Sequence, residues 1–169
     1  MKTFFVDGYN VIHSWPNLKK IKEFSYESSR LQLIDTLQNY SEFKGYKVFI
    51  VFDAHMVKGS IEKKEKQGNL FVVFTKEGET ADNYIERTVN NIGRKSEICV
   101  VTSDSLVQQV TFQRGAIRMS SIEFYYEVIS IEKKIQIKTE KKYLEKRNSL
   151  EERIDEKTLE KLEKIRRNL

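Results

Sequence analysis

Apolar residues follow two rhythms along this chain. The first is a short unbroken run: KTFFVD (2–7), KVFIVFDA (47–54), NLFVVFTK (69–76) and EICVVTSD (97–104). Each is rich in Val, Ile or Phe and has the length of a strand covered on both faces. AIRMSS (116–121) predicts a shorter last strand. The second rhythm is helical. Leu31, Ile34, Leu37 and Tyr40 recur at that period within 26–44, and Gly45 follows as a stop. Ala81, Tyr84, Ile85, Val89 and Ile92 do the same between an N-capping Thr80 and Gly93.

SLVQQVTFQRG (105–115) predicts a short helix, and Ser121 opens a longer one through about Lys134. The remainder, roughly 138–169, is charged and helical, with SLEER at Ser149 resembling a capping-box start. Residues 55–69 have no apolar period and many charges, which predicts a loop or hairpin. Strands alternating with helices imply an α/β fold with a mostly parallel sheet and helices on both faces. At 169 residues the chain can bury a real core as one domain.

Where those strands end is where chemistry enters. Asp7 closes the first strand, Asp53 the second and Asp104 the fourth, while Asp82 lies in the first turn of its helix. Parallel strands end on one edge, and the helices that follow begin there. Four acids far apart in sequence are therefore predicted to meet at one rim. Any single aspartate at such a place reads more readily as a cap or turn residue. All four together do not, because two carboxylates about 4 Å apart repel by roughly 4 kcal/mol at an effective dielectric near 20. Such a cluster protonates, spreads or binds a cation, and hard oxygen ligands select Mg²⁺ or Mn²⁺.

Asn10, three residues past Asp7, can orient a carboxylate or contact phosphate without adding charge. Glu79 is a second-tier acid near the same helix start. Thr102, Ser103 and Ser105 flank Asp104 as hydrogen-bonding groups, with no evident base to make any of them a nucleophile. His13 and Trp15 lie where they could touch a base or ribose, or simply pack.

Composition narrows the class. One cysteine, Cys99, excludes an internal disulfide and a CxxC zinc cluster, and its apolar setting predicts a buried thiol. No run is long and apolar enough for a membrane span, and MKTFFVDGYN turns polar too soon for a secretory segment, so a cytoplasmic protein is expected. The net charge is +5, and its location matters more than its size. Residues 133–169 carry 13 Lys+Arg against 8 Asp+Glu, and the rest of the chain is balanced at 17 each. A basic segment on a neutral body points to a polyanionic partner, or to a salt-bridged solvated helix.

VDGYNVIH (6–13), VFDAH (51–55), VVFTKEGETADNYIER (72–87) and VVTSD (100–104), in that order, resemble the NYN-domain nucleases, a branch of the PIN-like fold. They look most similar to the bacterial YacP-like group. The resemblance covers about residues 1–135 and implies a three-layer α/β sandwich, with residues 136–169 as a basic helical extension. It implies a divalent-metal-dependent endoribonuclease that cuts single-stranded RNA, mRNA in the ribosomal A site. The metal-binding acids would be Asp7, Asp82 and Asp104, with Asp53 a fourth acid and Asn10 their polar neighbour. Lys58, Lys63, Lys64 and Lys66, with the basic tail, would grip RNA through its phosphates.

A non-catalytic RNA- or ribosome-binding module on a nuclease-like fold is the competing reading. A phosphotransfer or receiver-like domain also places acids at strand ends. Haloacid-type phosphatases, however, want a second aspartate where this chain has Tyr9, and no Walker A or GxGxxG pattern is present.

Overall fold

A computed structural model describes residues 1–54, 59–93, 96–151 and 155–168, with backbone alone at 149–151. Two compact units result, Met1–Ile131 and Glu132–Leu169. The first opens with β1 (Thr3–Asp7), then α1 (Gly8–Ser14), α2 (Pro16–Lys22) and α3 (Tyr26–Lys44). There follow β2 (Lys47–Phe52), β3 (Lys63–Gln67), β4 (Leu70–Phe74), α4 (Ala81–Ile92), β5 (Ile98–Val101), α5 (Ser105–Gln113) and β6 (Ile117–Met119). The helices α6 (Ser121–Glu151) and α7 (Glu156–Arg167) complete the chain.

Six strands form one sheet in the order β3-β4-β2-β1-β5-β6. All neighbours run parallel except the β3–β4 pair at one edge. The chain builds leftward from β1 through β2 to β4, then crosses to the other side of β1 to place β5 and β6. The order of connection therefore reverses between β1 and β5, and a crevice opens at their carboxyl ends, the usual ligand position in such sheets.

Alternation along the strands sorts the core into two layers. Phe4 packs against Tyr40 of α3 and Phe124 of α6 on one face. Phe5, Val51, Val73 and Val100 point to the other and meet Ala81, Tyr84, Ile85 and Val89 of α4. Phe4, Phe5, Leu33, Leu37, Ile50 and Phe124 are almost wholly buried. Each such side chain contributes about 1.5–3 kcal/mol on removal from water.

The helices end where sequence chemistry ends them. Ser25 caps α3 by accepting from Ser28 N, and Gly45 closes it in the left-handed region at φ 66°. Thr80 caps α4 by accepting from Asn83 N at 3.2 Å. Cys99 is buried as expected, and burial pushes its thiol up to about 12.

Two features depart from the sequence reading, while the 55–69 stretch takes up the hairpin alternative. The segment 8–22 folds into two seven-residue helices that no apolar period announces. The last part of the 55–69 stretch is an edge strand, joined to β4 by a turn at Gly68 (φ 60°). The helix from Ser121 does not stop near Lys134 but runs to Glu151, so Ser149 lies inside it. Asp155 opens the last helix instead, accepting from Thr158 N at 2.9 Å. Among the described residues, no helix is long and apolar enough to cross a membrane.

Candidate active site

Asp7 is the last residue of β1 and also the N-cap of α1; its Oδ1 accepts from Asn10 N at 3.1 Å. The helix can start this abruptly because residue 8 is glycine. Its φ is not positive. What matters is space, since a Cβ there would stand 2.6 Å from Cδ1 of Phe52 and 3.1 Å from Cγ2 of Ile50. Gly8 lets α1 lie directly on β2 and holds Asp7 low in the crevice.

Burial pushes the Asp7 carboxyl up to about 7, against the opposing pull of the Asn10 N–H; the negative charges of Asp82, Asp53 and Asp104 push in the same direction as burial. Asp82, in the first turn of α4, is also raised, by burial first and then by Asp104 and Asp53. The neighbouring Asp7 carboxyl acts the other way, lowering it in part. The Oδ1 atom of Asp82 is buried and has no hydrogen-bond partner. An orphaned anionic oxygen beside a second carboxyl that resists ionising is a site short of positive charge.

Asp53 and Asp104 form the outer part of this field. Asp53 is half-buried just beyond β2. The exposed Asp104 spends one oxygen on capping α5, with Oδ1 accepting from Leu106 N at 2.8 Å and Val107 N at 3.3 Å. The crevice thus gathers the four acids electrostatically. It does not gather them as a ready-made ligand set: among the described residues, no three His, Cys, Asp or Glu side chains stand close enough to hold a metal ion by themselves. Mg²⁺ seldom requires that, because it keeps several waters and takes one or two carboxylates plus phosphate oxygens. The orphaned Asp82 oxygen and the raised Asp7 carboxyl fit such an ion.

Asn10 is expected to orient a carboxylate or contact phosphate, and its amide oxygen is used within the fold. Its Oδ1 accepts from Ser103 N at 3.0 Å and from Ser121 Oγ at 2.5 Å. It ties β1's exit to the loop bearing Asp104 and to the start of α6, across the crevice. Trp15 is 1% exposed and donates from Nε1 to Ser121 O at 2.8 Å, so it is an anchor of the core and unavailable to a base. Thr102 is buried and accepts from Asp104 N at 3.1 Å, while Ser103 and Ser105 are exposed.

Glu79 is buried and held by Arg87, whose Nε and Nη2 donate to its Oε1 at 3.0 and 2.8 Å. That pairing makes it a brace for the start of α4. Thr75, which sequence reasoning passed over, is fully buried; its Oγ1 donates to Glu79 O at 2.7 Å and accepts from Ala54 N at 3.0 Å. It joins the Asp53 loop to the Asp82 helix. A hydroxyl next to a strand end, within VVFTK, was the only available signal.

Three of the lysines expected to grip RNA are exposed and lie on the edge strand β3, each with a partner inside the fold. Lys64 Nζ lies over the rings of Phe49 and Phe71 at 4.8 and 5.1 Å, and Lys66 Nζ over Phe71 at 5.6 Å. Lys63 pairs with Glu65 at 2.6 Å. These side chains cover an aromatic sheet edge, a common defence of edge strands. Lys58 and His55 lie outside the described residues.

The model of the YacP-like NYN domain matches residues 4–167. The chain belongs to the YacP-like NYN domain family. It is 44% identical to YacP of Bacillus subtilis over 144 residues, 83% of each chain. The crystal structure of Rae1 (YacP) from the same organism superposes with a TM-score of 0.75 at 40% identity, covering 99% of this chain and 95% of that one. A point mutant of the same protein gives 0.70 at 38% identity, covering 82% and 81%. The α/β fold is that of Rae1, and membership of the NYN family makes it a nuclease-like fold.

Proposed function

We propose that this protein is a divalent-metal-dependent endoribonuclease that cuts single-stranded RNA, with intracellular mRNA on the ribosome as its setting. One observation carries the reading: Asp7 and Asp82 are half-buried at the carboxyl edge of the sheet, within electrostatic reach of one another, and a buried Asp82 oxygen has no hydrogen-bond partner. Asp7 and Asp82 would hold Mg²⁺ or Mn²⁺, with Asp104 and Asp53 adding negative potential and Asp104 able to complete the set through a water. When bound, the ion supplies charge neutralisation on the phosphodiester and acidifies water. Asn10 keeps the Asp104 loop in register with Asp7. Glu79 and Thr75 hold the start of α4, and hence Asp82. The basic C-terminal segment is a further candidate contact for ribosomal RNA.

That no three acids form a ligand group among the described residues favours a second reading, an RNA- or ribosome-binding module without turnover. Labelled mRNA incubated with the protein, with and without translating ribosomes, in Mn²⁺ or EDTA, separates the two. The nuclease reading expects Mn²⁺-dependent cuts that Asp7→Asn or Asp82→Asn reduces at least about 100-fold while the fold persists. Undiminished cutting by either variant would remove the mechanism. RNA binding with no cutting under any condition would favour the module.

A further inference from the structure

The helix that begins at Asp7 carries a second surface. Tyr9, two residues beyond Asp7, sets its ring edge-on to Phe52 at 5.3 Å and to Tyr26 at 6.2 Å. Tyr26 in turn meets the His13 ring at 6.1 Å. The rings form a ledge that starts beside the acid crevice and runs outward. Tyr26, the first residue of α3, is 47% exposed, and His13 is exposed as well.

Cations border the ledge. Arg30 Nη1 donates to the Tyr9 hydroxyl at 3.0 Å, and Lys22 Nζ lies 2.6 Å from His13 Nδ1. Lys19 is near enough for its charge to act on His13, which burial, Lys22 and Lys19 together hold below its usual value. His13 is therefore a neutral ring, and Lys22 donates to it. Among the described residues, Lys19, Lys22 and Arg30 make no ion pair, and Glu23 and Glu27, the acids of the same stretch, pair with none of them. Lys63 and Arg87, by contrast, are paired with Glu65 and Glu79. Unpaired positive charge interleaved with open aromatic rings is the chemistry that holds single-stranded nucleic acid. The rings stack on bases, the cations meet phosphates, and no sequence is read. An amphipathic protein helix would want a continuous apolar groove, which this polar ledge is not.

We propose that Tyr9, His13, Lys19, Lys22, Tyr26 and Arg30 form the surface that receives a single strand of RNA and leads it to the acid crevice, with a base stacked on Tyr26 and phosphates on Lys19 and Lys22. This rests on the RNA reading of the crevice given above.

The test is fluorescence anisotropy of a short fluorescein-labelled oligouridylate with the full chain in EDTA, where cutting is absent, over a series of KCl concentrations. Tyr26→Ala is expected to weaken binding about tenfold, and Tyr26→Phe to retain it. Lys19→Ala with Lys22→Ala is expected to lower the slope of log K against log salt by about 1.4. Lys63→Ala should bind as the parent does. Thermal melts check that each variant folds. Parent-like affinity and salt slope in the Tyr26 and Lys19/Lys22 variants, loss of binding on Lys63→Ala alone, or no binding by the parent would overturn the proposal. Cutting of the same RNA in Mn²⁺ by the parent and by Asp7→Asn is read separately. If ledge variants lose binding but no protein cuts, the ledge stands and the nuclease reading falls.

Discussion

Asp7 and Asp155 do the same local job in different places. Each is an N-cap in extended backbone, and each accepts a hydrogen bond from the N–H three residues on, at 3.1 and 2.9 Å. Their acidities move in opposite directions. Asp155, fully exposed, is held below the usual carboxylate range by the Thr158 side chain and N–H. Asp7 rises to about 7 because burial outweighs the same kind of bond and three acids add to it. Capping explains Asp155 completely and leaves Asp7 unexplained. The difference measures what the crevice costs, and a cost retained at a strand end suggests a use.

The comparison can be broken at several points. Gly8→Ala has the largest expected effect. Its Cβ must displace the Phe52 ring and Ile50, so α1 is pushed off β2 at about 1–3 kcal/mol, measured by urea unfolding. A cost near zero would mean that Asp7 is not held down by this packing. Next comes Asp7→Asn, which keeps the cap and removes the charge.

The carboxyl of Asp7 titrates at about 7 when folded and near 3.8 when not. Between those values the folded state binds more protons, so stability is fullest below about 4 and is lost as pH rises through 7. Asp7→Asn should therefore stabilise the fold by about 2 kcal/mol at pH 8, a gain that vanishes by pH 4. Equal melting shifts at both pH values would contradict it.

Asn10→Ala removes the acceptor for Ser103 N and Ser121 Oγ and should cost about 1 kcal/mol. Its effect on cutting should exceed that of Ser103→Ala, because Ser103 contributes only its backbone N–H to this contact. Comparable activity losses would deny Asn10 its positioning role. The smallest effect belongs to Asp155→Ala. It should lower far-UV helicity slightly near neutral pH, less so in acid, since its contribution is present above the unfolded carboxylate value and fades as pH falls.

Most of the crevice was legible because it depends on strand ends. A run such as TFFVD forms a buried parallel strand almost regardless of context, and its terminal aspartate goes to the shared edge. The same holds for the α4 stripe from Ala81 to Val89. What escaped reading depends on tertiary partners. The helices α1 and α2 are seven residues each, too short to stand alone; Trp15, buried between them, fixes them through Ser121.

The strand β3, KKEKQ, has no apolar face of its own and exists because β4 pairs with it and Phe49 and Phe71 seat its lysines. Lysines that look free in a sequence have partners in the fold, while Lys19 and Lys22, in a stretch with no recognisable pattern, make no ion pair among the described residues. At Ser149 the capping-box pattern was outweighed by continuous helix propensity on both sides.

The most direct test of the acid crevice is the titration of the Asp7 carboxyl by carbon-detected NMR, with and without Mg²⁺. A midpoint near 7 in EDTA is expected to fall clearly when Mg²⁺ is added, and in an Asp82→Asn variant, whose own midpoint starts lower, Mg²⁺ should move it little. A midpoint near 4 in EDTA, unmoved by Mg²⁺, would contradict the account.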